Sequence, residues 1–241
     1  MVPPFIELTN LTKNFGNGKG IFDLSFGVQQ GEVFGFLGPN GAGKSTTIRH
    51  LMGFVKPQSG SCQIMGKDCF SQAALIQQSV GYLAGEIAFI EDMSGISYLN
   101  FIADMKGIRD RSSIRDLLYR FELNPRGKIK KMSKGMKQKI GLVAAFMGDP
   151  SVLILDEPTS GLDPLMQNRF VELLLERKKK GSTVFMSSHI FEEVEKTCNR
   201  TAIIREGRLV DIVQMKELSK LRNRIYTVTL HDKESAQRLA A

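Results

Sequence analysis

Apolar and polar positions alternate in short stretches at the start of the chain. Phe5-Ile6-Glu7-Leu8 and Ile21-Phe22-Asp23-Leu24-Ser25-Phe26 both carry a period close to two, which predicts strands. After a turn at Gly31, Glu32 to Leu37 reads as a buried strand that runs into a glycine-rich loop, and Ser45 to Gly53 then reads as a helix. From about Glu91 to Gly148 the period becomes helical. Ile114, Leu117, Leu118 and Phe121 fall on one helix face, and Ile96, Leu99 and Ile102 mark another. Strand character returns at Val152-Leu153-Ile154-Leu155 and at Thr183-Val184-Phe185-Met186, and Thr201–Ile204 with Arg208–Val213 reads as a hairpin around Glu206-Gly207. The pattern is an α/β core over residues 1–218, with a helical subdomain inserted at about 86–150. Arg224 to Leu230 alternates like another strand. One strand cannot bury a face alone, so residues 219–241 are expected to begin a C-terminal extension, cut short or vestigial.

The length of 241 residues allows one large α/β domain or two small ones. No apolar run approaches the roughly 20 residues that span a bilayer, so any membrane-spanning work falls to other subunits. Residues 1–10 lack the basic segment and apolar core of a secretory signal. Cys62, Cys69 and Cys198 are odd in number and without zinc-site spacing, which reads as reduced thiols of a cytosolic protein. The net charge of +8 admits an anionic partner. Its densest part, Arg126, Lys128, Lys130, Lys131, Lys134, Lys137 and Lys139, has no interleaved aromatic residues. That makes it a solvated face beside a phosphate site, and a nucleic-acid partner is not expected.

Gly38-Pro39-Asn40-Gly41-Ala42-Gly43-Lys44-Ser45-Thr46 fits the pattern G-x-x-x-x-G-K-[ST]. Glycines let the backbone turn several N–H groups toward phosphate, and the helix that follows adds its positive end. Lys44 supplies a point charge for the β- and γ-phosphates, and Ser45 supplies an oxygen for Mg²⁺. A strand before the loop and a helix after it are the required context.

Val152 to Leu155 ends in Asp156-Glu157. Parallel α/β sheets bind ligands at the carboxyl ends of their strands, so Asp156 is placed to hold Mg²⁺. Glu157 is a candidate to orient or deprotonate the attacking water, the alternative being a simple helix-capping acid. His189 follows the strand at 183–187 and is placed to reach the γ-phosphate. His50 and His231 have no such setting.

With Met132-Ser133-Lys134-Gly135-Met136-Lys137-Gln138-Lys139 added, the ordered set resembles the ATP-binding subunit of ABC transporters over nearly all of residues 5 to 215. This stretch is similar to the family's Leu-Ser-Gly-Gly-Gln signature. Ser133 and Gly135 are kept, Lys134 replaces the first glycine and Met136 stands at the glutamine position. The form S-K-G-M-x-Q resembles an exporter branch of the family, with a separate integral membrane transporter subunit. The resemblance implies a P-loop NTPase core with a mainly parallel sheet, an N-terminal antiparallel β subdomain and the helical insertion. It further implies a transport-coupled ATP hydrolase that uses ATP and Mg²⁺ at the cytoplasmic face of the membrane. Its two cassettes pair head to tail, as a homodimer or with a related subunit, so that Ser133 and Gly135 meet the γ-phosphate held by the other cassette. Ser133, at the start of a helix predicted over 135–147, suits an anion site.

By the same resemblance Phe15 stacks on adenine, where tyrosine is commoner and a core aromatic is the alternative. Thr46 contacts the α-phosphate, Ser160-Gly161-Leu162-Asp163 lines the dimer seam, and His189 is the switch histidine. One position departs: in Val80-Gly81-Tyr82-Leu83-Ala84-Gly85-Glu86, Gly85 stands where the family carries a Mg²⁺-contacting glutamine. Either Glu86 takes over that contact or water does. A non-transport ABC-type ATPase acting on ribosomes or nucleic acid is the rival reading. One set of motifs and no long coiled-coil insertion count against it.

Overall fold

A computed structural model describes residues 3–220 of the chain. The alternating stretch at 224–230, and all but the first two residues of the expected extension, lie outside the described residues. The first half of the chain forms β1 (Ile6–Gly16), β2 (Lys19–Val28), β3 (Val33–Leu37), α1 (Lys44–Leu51), β4 (Ser59–Ile64), β5 (Lys67–Asp68), α2 (Ala73–Gln77), β6 (Val80–Leu83), α3 (Gly95–Met105) and α4 (Ser112–Arg120). The second half forms α5 (Lys134–Phe146), β7 (Val152–Asp156), α6 (Pro164–Lys179), β8 (Thr183–Ser188), α7 (Phe191–Thr197), β9 (Arg200–Arg205), β10 (Arg208–Gln214) and α8 (Met215–Lys220).

The strands form two sheets. The smaller is antiparallel with order β2-β1-β4-β5, and the larger has order β10-β9-β3-β8-β7-β6. In the larger sheet β9, β3, β8, β7 and β6 run parallel, and β10 closes one edge antiparallel. The expected α/β class is observed, with a mainly parallel core sheet and an N-terminal antiparallel sheet.

The larger sheet is apolar on both faces, as a parallel sheet covered on both sides must be. Alternation along each strand decides which core a residue joins. Val152 and Ile154 of β7, Phe185 of β8, and Phe34 and Phe36 of β3 enter the core shared with the antiparallel sheet and α1. Leu153 and Leu155, Val184 and Met186, and Val33 enter the opposite core. In the first core, Phe26 of β2 stacks on Phe34 at 5.4 Å between ring centroids. In the second, Leu99 and Ala103 of α3, Ile114 and Leu117 of α4, and Phe121 pack against Ile140 and Phe146 of α5. The helices α3 to α5 lie between β6 and β7 in sequence.

Periodicity marks some elements poorly. β6 has only four residues and α7 only seven, too few to display a period. The start of α6 carries a different signal: Asp163 caps it by accepting from the Met166 N–H at 3.0 Å, and Pro164 opens its first turn. The β9–β10 hairpin forms as expected, with Glu206 and Gly207 at φ 50° and 73°. Among the described residues no helix is long and apolar enough to cross a membrane.

Candidate active site

Three parallel neighbours, β3, β8 and β7, end side by side. In register, Leu37 of β3 pairs with Ser188 of β8, and Ser187 pairs with Asp156 of β7. The segments that leave these strands are 38–43, 189–190 and 157–163, so the fold delivers these candidate residues to the carboxyl ends of neighbouring strands.

The glycine loop, Gly38 to Gly43, is anchored at its base, where the Gly38 N–H donates to the Ser188 carbonyl at 3.2 Å. It turns on itself through the Ala42 N–H to the Pro39 carbonyl at 3.2 Å. Pro39, Asn40 and Gly41 are exposed at the tip, and Ala42 is buried. Gly43 has φ 107°, a conformation that a side chain resists, and a Cβ there would lie 2.9 Å from Ile21 Cγ2. The β1–β2 hairpin therefore presses directly against the loop. Lys44 is only 5% exposed, and its ammonium donates to the Gly38 carbonyl at 2.8 Å and the Pro39 carbonyl at 3.2 Å. Ser45 is exposed and Thr46 half-buried on the first turn of α1. The Thr46 carbonyl contacts His50 Nδ1 at 2.8 Å.

Asp156 is 4% exposed, and the Ser187 hydroxyl donates to its Oδ1 at 2.5 Å. Glu157 lies in the left-handed region at φ 48°, a strained place for a side-chain-bearing residue. Its N–H meets the Ser187 hydroxyl at 3.1 Å and the Ser187 carbonyl at 3.3 Å. The Glu157 carboxylate bridges two cationic-type groups: Oε1 is 3.2 Å from Lys44 Nζ, and Oε2 is 3.3 Å from His189 Nδ1. Ser187 and Gln138 are partners that motif reading did not assign. The Gln138 amide donates to the Pro158 carbonyl at 2.9 Å, which fixes the segment that follows Glu157.

Ser45, Glu86, Asp156, Glu157 and Gln138 line one cleft of about 1030 Å³ that extends to Lys134 and Lys137. Gly85 packs against the Asp156 carboxylate, since a Cβ there would lie 3.1 Å from Asp156 Oδ2. Tyr82, on the same wall, has its phenol pushed up by burial and by the Asp156 charge. Ser133 caps α5, accepting from the Met136 N–H at 3.2 Å. Gly135 leaves no room for a side chain, because a Cβ would lie 2.8 Å from the Gly161 carbonyl oxygen. Among the described residues no hydrogen bond or ion pair joins Ser133 or Gly135 to the glycine loop. Phe15 is 58% exposed near the tip of the β1–β2 hairpin, with Lys13 Nζ 5.9 Å from its ring centroid. It is no core aromatic.

These residues suit a nucleotide with a hard cation. The N-terminus of α1 has no side-chain cap and no acid in its first turn, so its N–H groups remain open to phosphate. Of the oxygen groups around the cleft, the Ser45 hydroxyl and the Asp156 carboxylate, held by Ser187, are donors such a cation takes. Mg²⁺ takes few protein oxygens and completes its shell with phosphate and water. Among the described residues no cluster of three or more His, Cys, Asp or Glu could hold a metal by itself.

A phosphate loop after one parallel strand, with an acid-ended strand two places along, defines a P-loop nucleotide-binding core. The family model described as ABC transporter matches residues 21–160. The bacitracin transport ATP-binding protein of Bacillus licheniformis is 38% identical over 226 residues, 92% of this chain and 73% of its own length. The linearmycin resistance ATP-binding protein of Bacillus subtilis (strain 168) is 36% identical over 86% of this chain and 68% of its own length. A solved ATP-binding subunit of an ABC transporter superposes with TM-score 0.80 at 29% identity, covering 90% of this chain and 92% of that one. A dimeric ABC transporter cassette, 20% identical, shares the fold at TM-score 0.79 over 87% of this chain and 98% of that one. The chain belongs to the ABC transporter family, as an ATP-binding subunit and an ATP hydrolase.

Proposed function

We propose that this chain is the motor of an export-type ABC transporter and works on the cytoplasmic face of a membrane beside a separate integral subunit. The variant signature Ser133-Lys134-Gly135-Met136, capping α5, supports the exporter branch, as do relatives named for bacitracin transport and linearmycin resistance. Residues 1–218 are read as one ATP-binding unit with the helices of about 86–150 inserted in it.

The observation that carries the hydrolytic reading is the row Lys44–Glu157–His189, closed by contacts of 3.2 and 3.3 Å at the ends of three parallel strands. Gly38, Pro39, Asn40, Gly41, Ala42 and Gly43 wrap the phosphates, Thr46 meets the α-phosphate and Phe15 supports adenine. Ser45 and Asp156 would hold Mg²⁺, and Glu86 is the acid of the Gly85 loop that lines the same cleft. When bound, that ion neutralises charge on the β- and γ-phosphates. Glu157 orients a water and takes its proton as the oxygen bonds to the γ-phosphorus and the bond to ADP breaks. Lys44 and His189 hold the charge that builds on the γ-phosphate. Ser133 and Gly135 serve the nucleotide of a second cassette, a further copy of this chain or a relative.

The test is affinity capture of Glu157→Gln protein from detergent-solubilised membranes with ATP present. An integral membrane subunit retained by ATP supports the reading. Recovery of ribosomal or DNA-bound proteins in its place overturns the transport assignment.

A further inference from the structure

Glu193 lies outside every motif described above, yet its carboxylate joins two of the three segments that build the hydrolytic row. Both of its oxygens are engaged. One accepts from the Thr159 hydroxyl, and the other accepts from the Ser188 hydroxyl at 2.6 Å. Thr159 stands two residues after Glu157, and Ser188 immediately precedes His189. The Ser188 hydroxyl in turn accepts from the Ile190 N–H at 2.9 Å, which fixes the backbone on the other side of His189. Glu193 is itself held by α7, where the Thr197 hydroxyl donates to its carbonyl at 2.7 Å.

The arrangement makes a second tie between the ends of β7 and β8. The first is Ser187, which holds Asp156 and the Glu157 N–H at the strand ends themselves. Two residues further out the strands have stopped; the Gln138 amide holds the segment after Glu157, and no strand pairing joins that segment to the one carrying His189. The exposed His189 side chain is left to the geometry of a two-residue linker, 189–190, before α7 begins. A small surface pocket of about 110 Å³ is lined by Thr159, Met186, Ile190 and Glu193, so the carboxylate sits where the two segments meet. Hydrogen bonds to a charged acceptor are among the stronger ones, and two on one partly buried carboxylate hold the segments to each other.

We propose that Glu193 is a positioning residue for hydrolysis. It clamps Thr159 to Ser188 and thereby sets the 3.3 Å contact between Glu157 and His189. It touches neither nucleotide nor the reacting atoms and acts through the two segments it joins. The inference rests on the roles proposed for Glu157 and His189.

The experiment measures steady-state ATP hydrolysis and equilibrium ATP binding on the purified full chain carrying Glu193→Ala, Glu193→Gln or Thr159→Val. Misplacing a catalytic group lowers turnover and leaves ground-state binding alone, so kcat is expected to fall about tenfold or more in Glu193→Ala with the ATP Kd within about twofold of parental. Glu193→Gln is expected to recover part of the loss, because its amide can still bridge two hydroxyls. Thr159→Val, which removes one arm and leaves Glu193 in place, is expected to fall between parental and Glu193→Ala. Parental kcat in both Glu193→Ala and Thr159→Val overturns the clamp. So does a loss of ATP affinity that matches the loss of kcat. If Glu193→Ala fails to fold, Thr159→Val decides by the same two readings. Glu157→Gln measured alongside separates the failures: hydrolysis retained there removes the underlying assignment, whereas hydrolysis lost there with parental clamp variants removes only Glu193.

Discussion

Lys44 Nζ lies 3.2 Å from Glu157 Oε1, and the same ammonium donates to the carbonyls of Gly38 and Pro39. One buried cation thus ties the loop leaving β3 to the acid at the end of β7. Lys44→Met removes that brace and the point charge offered to phosphate. ATP affinity is expected to fall at least about tenfold, read by titration with a fluorescent nucleotide. Lys44→Arg is expected to rescue it poorly, because a planar fork does not fill the place of a compact ammonium. Parental affinity in Lys44→Met would place the phosphates elsewhere.

Glu157→Gln keeps the shape of that side chain and discards its charge. Hydrolysis is expected to drop by about 10²–10⁴-fold, the contribution typical of a general base. ATP binding should tighten, since the carboxylate no longer competes with phosphate for Lys44. Single-turnover release of phosphate and equilibrium titration measure the two separately.

Phe15 is more than half exposed, so Phe15→Ala removes little buried area. Its melting temperature should stay within about a degree of parental, as expected for an exposed surface substitution. ATP affinity should weaken by about 1 kcal/mol if the ring stacks on adenine, and affinity for inorganic triphosphate should not change. Equal loss for both ligands would rule out a base-stacking role.

Much of this site is legible in the sequence because its parts are local. The glycine loop, the run Val152 to Glu157 and the cap at Ser133 each sit within a few residues of one another, and strand and helix periods place them. The exposure of Phe15 is different. Its neighbours in sequence allow either a core or a surface ring, and only the folded hairpin beside Gly43 settles it. The partners Ser187, Gln138 and Glu193 are harder still. The Ser187 hydroxyl meets Asp156 from 31 positions away, and Glu193 meets Thr159 from 34. Such contacts follow from strand order, which periodicity does not carry. Asp163-Pro164 carries a local start signal for α6 within the same residues as the Ser160–Asp163 loop motif.

His50 offers a pH test independent of nucleotide. Burial holds its imidazole below the ordinary value of about 6.5, with Nδ1 placed against the Thr46 carbonyl. The folded chain therefore resists a proton that the unfolded chain accepts. Stability is full above about pH 6.5 and is lost as pH falls from there toward the depressed folded value. Melting temperature should decline more steeply for the parental protein than for His50→Asn across that window. Parallel slopes would show that His50 titrates alike in both states.

Gly38 to Thr46 is proposed to form half of an ATP site whose other half, Ser133 and Gly135, comes from a second cassette. Light scattering of Glu157→Gln protein, with and without Mg-ATP, reads that pairing. The protein is expected to be a monomer without nucleotide and a dimer with it, and Ser133→Arg is expected to abolish the dimer while each monomer still binds ATP. A protein that stays monomeric when saturated with ATP would contradict the composite site. So would a dimer indifferent to Ser133→Arg.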